Sequence, residues 1–145
     1  MTQQEMEQVW AEHIRHEFVT KDVDATLATM VEDALVNHVP VNTGGRGKAQ
    51  LRAFYRDVFI GSWPGDLQMT TFNRVFGQDQ LVEEDHLRFS HTRRMDWLLP
   101  GVAATDRVVD VDFVIVVQFR EGKLACERIY WDHATVLRQV GLMKG

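Results

Sequence analysis

The segment that decides the fold is Cys126-Glu-Arg-Ile-Tyr-Trp-Asp-His-Ala-Thr-Val-Leu-Arg-Gln-Val-Gly141. Its first half is rich in aromatic and β-branched residues, which predicts a strand. Its second half predicts a short amphipathic helix ending at Gly141, a typical C-terminal cap. The apolar face of that helix consists of Val136, Leu137 and Val140. The segment therefore predicts a strand that leads directly into a helix.

Asp132 stands at the junction of these two elements, directly after Tyr130 and Trp131. An unpaired carboxylate is costly to bury among aromatic side chains, so one interpretation is a functional carboxylate that projects from a strand end into a cavity. Asp is also a preferred N-cap residue, and a helix that begins at His133 needs one. As a cap, Asp132 would accept a hydrogen bond from the backbone N–H of Thr135 or the residue before it. The residue types leave both interpretations open.

The hydrophobic pattern before this segment changes period near Asp66. From there on, a period of two predicts four successive strands at Leu67–Phe76, Leu81–Thr92, Val108–Phe119 and Lys123–Asp132. Before Asp66, helical spacing predicts one helix over roughly the first 18 residues, a second capped by Asp22 and a third that ends near Gly61. A short strand is expected at Ala34–Val39, and a glycine turn at positions 44, 45 and 47.

Helices followed by strands are typical of an α+β domain, with the helices on one face of an antiparallel sheet. A sheet of four long strands twists strongly, so it should curve around the helices and leave a conical pocket. We therefore expect residues 1–145 to form a single cone-shaped domain. In it, a curved antiparallel sheet wraps around about three N-terminal helices and is followed by a short C-terminal helix.

The composition excludes several classes of function. The 16 Lys and Arg residues against 21 Asp and Glu residues give a formal charge of −5, with no basic tract. A role in binding nucleic acid or an anionic membrane is therefore disfavoured. The single cysteine, Cys126, rules out an intramolecular disulfide and a cysteine-based zinc cluster. Without an apolar leader or a membrane-length stretch, the expected location is the cytoplasm.

Histidines are the expected partners of the carboxylate. On the strand Leu81–Thr92, alternation puts Glu84 and His86 on one face and His91 on the other. A solvated outer face accounts for the first set, so His91 is the better interior candidate. His38, beside Pro40 at the end of a short strand, is a second candidate. No metal-ligand spacing or nucleophile motif is present, so neither a cofactor nor a metal is expected.

A further set of residues is expected to bind the substrate. Trp10 and His13 share the inward face of the first helix with Glu17, where they either border the core with their polar tips in solvent or line the mouth of a cavity. The long connection from Arg93 to Arg107 holds an apolar cluster that should cover a site or an interface. The complete set of expected substrate-binding residues is Trp10, His13, Tyr55, Trp63, Glu84, Trp97 and Tyr130.

The order helix–helix–strand–helix–four strands resembles the nuclear transport factor 2-like fold over nearly the whole chain. The pattern from Glu127 through Asp132 to Gly141 is similar to the ending of SnoaL-like polyketide (ester) cyclases. Four further motifs resemble a branch labelled carboxymethylenebutenolidase-like or ester cyclase-like: Lys21-Asp-Val-Asp-Ala25, Asn37-His-Val-Pro40, Ser90-His91 and Trp97-Leu-Leu-Pro-Gly101.

This resemblance implies a role for Asp132. In the cyclases the aspartate before the final helix is the general base that abstracts a proton from carbon, and Asp132 occupies the matching place. The cyclases also use a histidine on the penultimate strand, but Val108–Phe119 contains none. His91, from the adjacent strand, is the candidate replacement.

The expected function is that of a small cofactor-independent enzyme of the cyclase, isomerase, lyase or hydrolase type. It would act on a moderately apolar carbonyl compound, with Asp132 as the base and His91 or His38 stabilising the developing negative charge. Two alternatives remain: a domain that binds a small molecule without catalysis, and a dimeric interaction module of the same fold.

A homodimer joined through the sheet is also expected. The strand Val108–Phe119 is apolar on both faces. Three helices can cover only one of those faces, so the other needs a partner.

Overall fold

The computed structural model describes all residues from 1 to 145 and contains four α-helices and six strands. The helices are α1 (Gln3–Phe18), α2 (Val23–Ala28), α3 (Gly47–Phe54) and α4 (His133–Gln139). The strands are β1 (Met30–His38), β2 (Thr43–Arg46), β3 (Gln68–Gly77), β4 (Gln80–Ser90), β5 (Val108–Arg120) and β6 (Lys123–Trp131). Helix α3 continues into a π-helical turn at Tyr55–Phe59 and a 3₁₀ turn at Ile60–Ser62.

The six strands form one sheet in the order β2-β1-β6-β5-β4-β3. All neighbouring pairs are antiparallel except β1 and β6, which run parallel. The expectation of a purely antiparallel sheet is therefore corrected. Alternation within a strand shows which residues share a face but does not determine the direction of its neighbour, and the long chain between β1 and β6 permits a crossover.

Strand β2 replaces the expected glycine turn. Gly44 has a φ of 145°, and a Cβ atom there would lie 2.0 Å from the carbonyl oxygen of Val36. Only glycine allows this close approach, so β2 pairs with β1 because its glycines leave room for the neighbouring backbone. The four predicted long strands are confirmed, with ends that differ by at most two residues from those expected.

The helix starts follow from their caps. At α1, the backbone N–H of Glu5 donates to the Thr2 hydroxyl at 3.1 Å, and the Glu5 carboxylate accepts from the Thr2 N–H at 2.8 Å. The predicted cap at Asp22 is confirmed, since its Oδ1 accepts from Ala25 N–H at 3.0 Å. Helix α2 ends at Ala28, and Met30 and Val31 are the first residues of β1 and are buried.

The core lies between the concave face of the sheet and the helices. On β5 the residues from Val109 to Val117 alternate, with odd positions buried and even positions half-buried or exposed. The apolar cluster of the long loop before β5 is buried too, and Trp97 at its centre has no exposed surface. These features confirm an α+β fold whose curved, open sheet wraps around the helices. No helix combines the length and apolar character needed to cross a membrane.

Candidate functional site

A cavity lies between α1, the turns that follow α3 and the concave face of the sheet. It contains about 400 Å³ of empty space, part of which is open to solvent. Ten of the 14 lining residues are apolar, and the other four are three carboxylic acids and a histidine. The lining residues are Ile14, Glu17, Phe18, His38, Phe59, Trp63, Met69, Asp85, Leu87, Trp97, Phe113, Ile115, Glu127 and Ile129.

His13 is fully buried behind the lining of this cavity, between two of the carboxylic acids that line it. Its Nε2 lies 3.4 Å from Glu17 Oε1 and 3.4 Å from Glu127 Oε2. Its Nδ1 lies 2.8 Å from the hydroxyl of Thr29, which donates its own proton to the carbonyl oxygen of Thr26 at 2.6 Å. Nδ1 must therefore carry a proton and donate to Thr29, which fixes the ring with Nε2 facing the two carboxyl groups.

Local structure explains why these residues meet. His13 and Glu17 are four residues apart on α1, so their side chains lie on one face of the helix. Trp10, one turn earlier, stacks on His13 with ring centroids 5.7 Å apart. On β6, Glu127 alternates inward with Ile129 and Trp131, all three buried. The inward faces of α1 and β6 thus bring one histidine and two acids into proximity.

The buried cluster retains protons at neutral pH. Burial raises the pKa of Glu17 to about 8; the nearby His13 opposes this rise and the Glu127 charge adds to it. Burial alone would lower the pKa of His13, but attraction to Glu17 and a hydrogen bond to Glu127 outweigh burial and raise that pKa. Glu17 therefore retains its proton at neutral pH, beside Glu127 and the His13 ring.

Asp85 contributes a third acid from β4. Its Oδ1 accepts a hydrogen bond from the Thr71 hydroxyl at 2.6 Å. Burial, reinforced by the neighbouring carboxylate of Glu83, raises the pKa of Asp85 to about 7. Glu83 itself accepts from the Trp10 indole N–H at 3.2 Å and from Arg74 Nε at 2.8 Å. Asp85 is therefore the acid of this pair that lacks a cationic partner.

His38 is a neutral acceptor. Its Nδ1–H donates to the carbonyl oxygen of Thr43 at 3.0 Å. Burial lowers the pKa of His38 to about 4, and the hydrogen bond to Thr43 only partly opposes this. The Nε2 atom of His38 has no hydrogen-bond partner in the protein and is accessible from the cavity that the ring lines. Its ring packs on Trp97 with a centroid distance of 5.0 Å.

Asp132 does not belong to the cavity, and the expectation that it projects inward is wrong. Its Oδ1 accepts from Thr135 N–H at 3.2 Å and its Oδ2 from the Thr135 hydroxyl at 2.9 Å. These hydrogen bonds lower its pKa, and the residue is exposed. The physical reason is the pleat of β6: Trp131 faces inward, so Tyr130 and Asp132 face outward. Tyr130 is 39% exposed and is also absent from the cavity.

The other predicted residues divide into three groups. His91 is buried on the inner side, as predicted, but it lies under the loop before β5, where its Nδ1 accepts from Thr105 N–H at 3.2 Å. Glu84 lies on the outer face of β4 and accepts from the Asn73 amide at 3.0 Å, so it does not reach the cavity. Three predicted residues line the cavity: His38, Trp63 and Trp97. Three others are buried nearby: Trp10, His13 and Tyr55.

The acids that the sequence analysis did not select are Glu17, Asp85 and Glu127. Each had a signal, because each occupies a position whose neighbours on the same helix or strand face are apolar. Choosing them required knowing which face of β4 and β6 points inward. No set of three His, Cys, Asp or Glu side chains converges in a way that could hold a metal ion.

Comparison with known proteins agrees with this architecture. The family model described as SnoaL-like domain matches residues 10–127. The structure is similar to a nuclear transport factor 2-like protein from Burkholderia pseudomallei (18% identity, 97% of this chain and 98% of that one, TM-score 0.70). It is also similar to a protein from Jannaschia named as a SnoaL-like polyketide cyclase (20% identity, 94% of both chains, TM-score 0.71).

A third similar structure is that of SalBIII, an epoxide hydrolase/cyclase-like enzyme in pyran ring formation in polyether salinomycin. It shares 20% identity over 89% of this chain and 92% of that chain, with a TM-score of 0.64. No curated protein matches the sequence. The identities are low, so these likenesses show the fold, while the domain match covers most of the chain. The resemblance noted in the sequence is confirmed: the chain belongs to the SnoaL-like domain family and has the nuclear transport factor 2-like fold.

Proposed function

We propose that the protein is a cofactor-independent enzyme that performs acid–base chemistry on a small, moderately apolar carbonyl compound bound in this cavity. The observation that carries the proposal is the His13 ring, held between Glu17 and Glu127, two acids that line a mainly apolar cavity. Membership of the SnoaL-like family supports a cyclase-type enzyme fold. Apolar surroundings also keep acids near the pKa that proton transfer at neutral pH requires.

Glu127 is the proposed base. Its Oε2 faces His13 Nε2, and its Oε1 has no protein partner and is not enclosed, so this oxygen is available to a ligand. The carboxylate removes a proton from the carbon next to the substrate carbonyl. The C–H electron pair then forms a carbon–carbon double bond, and negative charge develops on the carbonyl oxygen.

Glu17 is the proposed stabiliser of that oxygen. Because burial raises the pKa of Glu17 to about 8, it is protonated at neutral pH and can donate a hydrogen bond. The reaction is completed when the proton held by Glu127 returns to a different carbon, which gives an isomerisation. Alternatively, the nucleophilic carbon attacks a second carbonyl group of the same substrate and closes a ring. The C=O π electrons of that group move to its oxygen, which takes the proton held by Glu127 and becomes a hydroxyl group.

His13 is a positioning residue in this scheme. The hydrogen bond to Thr29 fixes its tautomer, and its Nε2–H then orients both carboxyl groups. Asp132 takes no part in it, because its oxygens cap α4.

The test is proton exchange, which needs no knowledge of the product. A panel of small ketones and esters is incubated with the protein in D₂O, and loss of the α-proton signal is followed by NMR. Glu127→Gln is expected to slow exchange about a hundredfold or more relative to wild type. Glu84→Gln is the matched control, since this acid lies on the outer face of the sheet.

Two outcomes would count against the proposal. Full exchange in both Glu127→Gln and Glu17→Gln, with folding verified by thermal melting, removes the assigned roles. Binding of panel members without any exchange by the wild-type protein instead favours a small-molecule-binding domain that does not catalyse a reaction.

A further inference from the structure

Apart from the proton that Glu17 carries at neutral pH, the polar groups that face the cavity offer hydrogen-bond acceptors. Neither oxygen of Glu17 receives a hydrogen bond, and both remain open to the cavity. The same holds for Oε1 of Glu127 and for Nε2 of His38. No lysine or arginine is among the lining residues. An anionic ligand would therefore meet no cation there, and a ligand rich in donors would meet several acceptors.

Carboxyl groups outnumber basic side chains around the cavity. Four carboxyl groups lie on or directly behind its wall: Glu17, Glu83, Asp85 and Glu127. Two basic side chains accompany them. Arg74 of β3 contacts Glu83, and His13 of α1 lies between Glu17 and Glu127. Asp85 and one acid of the His13 cluster thus have no cationic partner in the protein.

Aromatic rings form much of the remaining wall. Five of them line the cavity: Phe18, Phe59, Trp63, Trp97 and Phe113. The faces of such rings attract cations, most strongly where water is excluded. The empty space of about 400 Å³ includes open solvent, so the cavity itself suits a small head group. The rest of a ligand can extend through the open side of the cavity, past Phe18, Trp63 and Met69, which also line an adjoining surface cleft.

We propose that the ligand of this cavity carries a small ammonium group, a protonated or quaternary amine, whose positive charge pairs with Asp85. The inference rests on the cavity being the binding site of the proposed function, and it adds a substrate class: carbonyl compounds that also bear an amine. Asp85 is the natural counter-ion because Thr71 holds one of its oxygens and no protein cation contacts it.

The pairing predicts a definite pH dependence. Burial and Glu83 raise the pKa of Asp85 to about 7, so the empty protein holds a proton on this acid below that pH. A bound ammonium ion displaces the proton, and its affinity therefore falls as the pH decreases. The other groups that face Asp85 are Glu83 on the same strand, Arg74 and Thr71 on β3, and the Trp10 indole of α1 bound to Glu83. Neither Thr71 nor the indole ionises in this range.

The experiment compares two probes of similar size, tetramethylammonium and tert-butanol, by NMR titration of the wild-type protein. Tetramethylammonium has no titrating proton, so any pH dependence belongs to the protein. At pH 8 it is expected to bind at least tenfold more tightly than tert-butanol, and its dissociation constant should increase about tenfold between pH 8 and pH 6. Calorimetry in two buffers of different ionisation enthalpy should show proton release on binding at pH 7. Equal affinity for the two probes, or affinity for tetramethylammonium that does not change with pH, overturns the inference.

Variants identify the counter-ion and separate this inference from the proposed function. Asp85→Asn keeps an acceptor for Thr71 and should abolish both the preference for the cation and its pH dependence, while Glu84→Gln should retain them. An Asp85→Asn protein that retains the preference removes Asp85 from the inference. In the wild-type protein, α-proton exchange of neutral ketones reports the proposed enzymatic function, and the preference for tetramethylammonium over tert-butanol reports this inference. Exchange without a cation preference defeats only this inference, and a cation preference without exchange defeats only the proposed enzymatic function.

Discussion

Replacing Glu17 with glutamine is expected to remove a large part of the pH dependence of stability. In the folded protein burial raises the pKa of Glu17 from 4.5 to about 8. Over that range the folded state keeps a proton that the unfolded state has released, so the free energy of unfolding falls as the pH rises. One pKa unit corresponds to about 1.4 kcal/mol, and between pH 6 and pH 8 this group alone removes on the order of 2 kcal/mol. The glutamine side chain has no such proton.

Other titrating groups do not reverse this sign. The pKa of His13 is raised, chiefly by Glu17, so its stabilisation is also lost as the pH rises, and the variant loses much of that effect too. His38, whose pKa is lowered to about 4, stabilises the protein above pH 6.5 and loses this contribution as the pH falls. His38 is present in both the wild type and Glu17→Gln, so its contribution cancels when their free energies of unfolding are compared.

The assay is urea unfolding of wild type and Glu17→Gln at pH 6, 7 and 8. The stability of the variant relative to wild type should increase by on the order of 2 kcal/mol from pH 6 to pH 8. Glu84→Gln, an acid on the outer face of the sheet, should show no such trend. A stability difference between Glu17→Gln and wild type that stays constant, or decreases with pH, refutes the reasoning.

Three further predictions concern other parts of the molecule. Asp132→Asn should change stability by less than about 0.5 kcal/mol and leave ketone exchange unchanged, because asparagine also caps helices well. Asp132→Ala should cost about 1 kcal/mol in urea unfolding. Loss of exchange in the Asn variant would restore Asp132 as a base. Trp10→Phe should cost about 1–2 kcal/mol, because Glu83 loses a buried donor, and an unchanged unfolding midpoint would contradict that hydrogen bond. The homodimer through the sheet stays a prediction, and sedimentation of the wild-type protein at micromolar concentration should give a dimer. Val116→Glu, on the outer face of β5, should give a monomer. A monomeric wild type would count against the dimer.

The order of elements could be read from the sequence because its signals are local. The period of two gave the four long strands, and the cap at Asp22 gave the start of α2. The inward side of β4 was also predictable, since Leu87 and Phe89 mark it as apolar and His91 follows in phase. These predictions needed only residue types and their spacing.

The site was less predictable because it depends on which face of each strand points inward and on contacts between residues far apart in the sequence. In a strand, a shift of one residue exchanges the two faces, and β6 has aromatic residues on both, at Tyr130 and Trp131. The sequence analysis placed Asp132 on the inward face of β6. The opposite face points inward, so Glu127, which lies on it, was overlooked. The convergence of Glu127 with His13 also required β6 to lie near α1, a contact between residues more than a hundred positions apart that no local pattern encodes.

The position of β6 in the sheet has a consequence for how the protein is made. This strand follows β3, β4 and β5 in the sequence, yet it lies between β1 and β5 and joins the two parts of the sheet. During synthesis on the ribosome, α1, β1 and the β3–β5 meander emerge earlier but have no shared neighbour until β6 arrives. The edge of β1 that pairs with β6 therefore stays unpaired until β6 emerges, and during this stage binding by chaperones protects the growing chain most from aggregation. Glu127 arrives with the same strand, so the buried acids are brought together only when the sheet closes and water leaves its concave side.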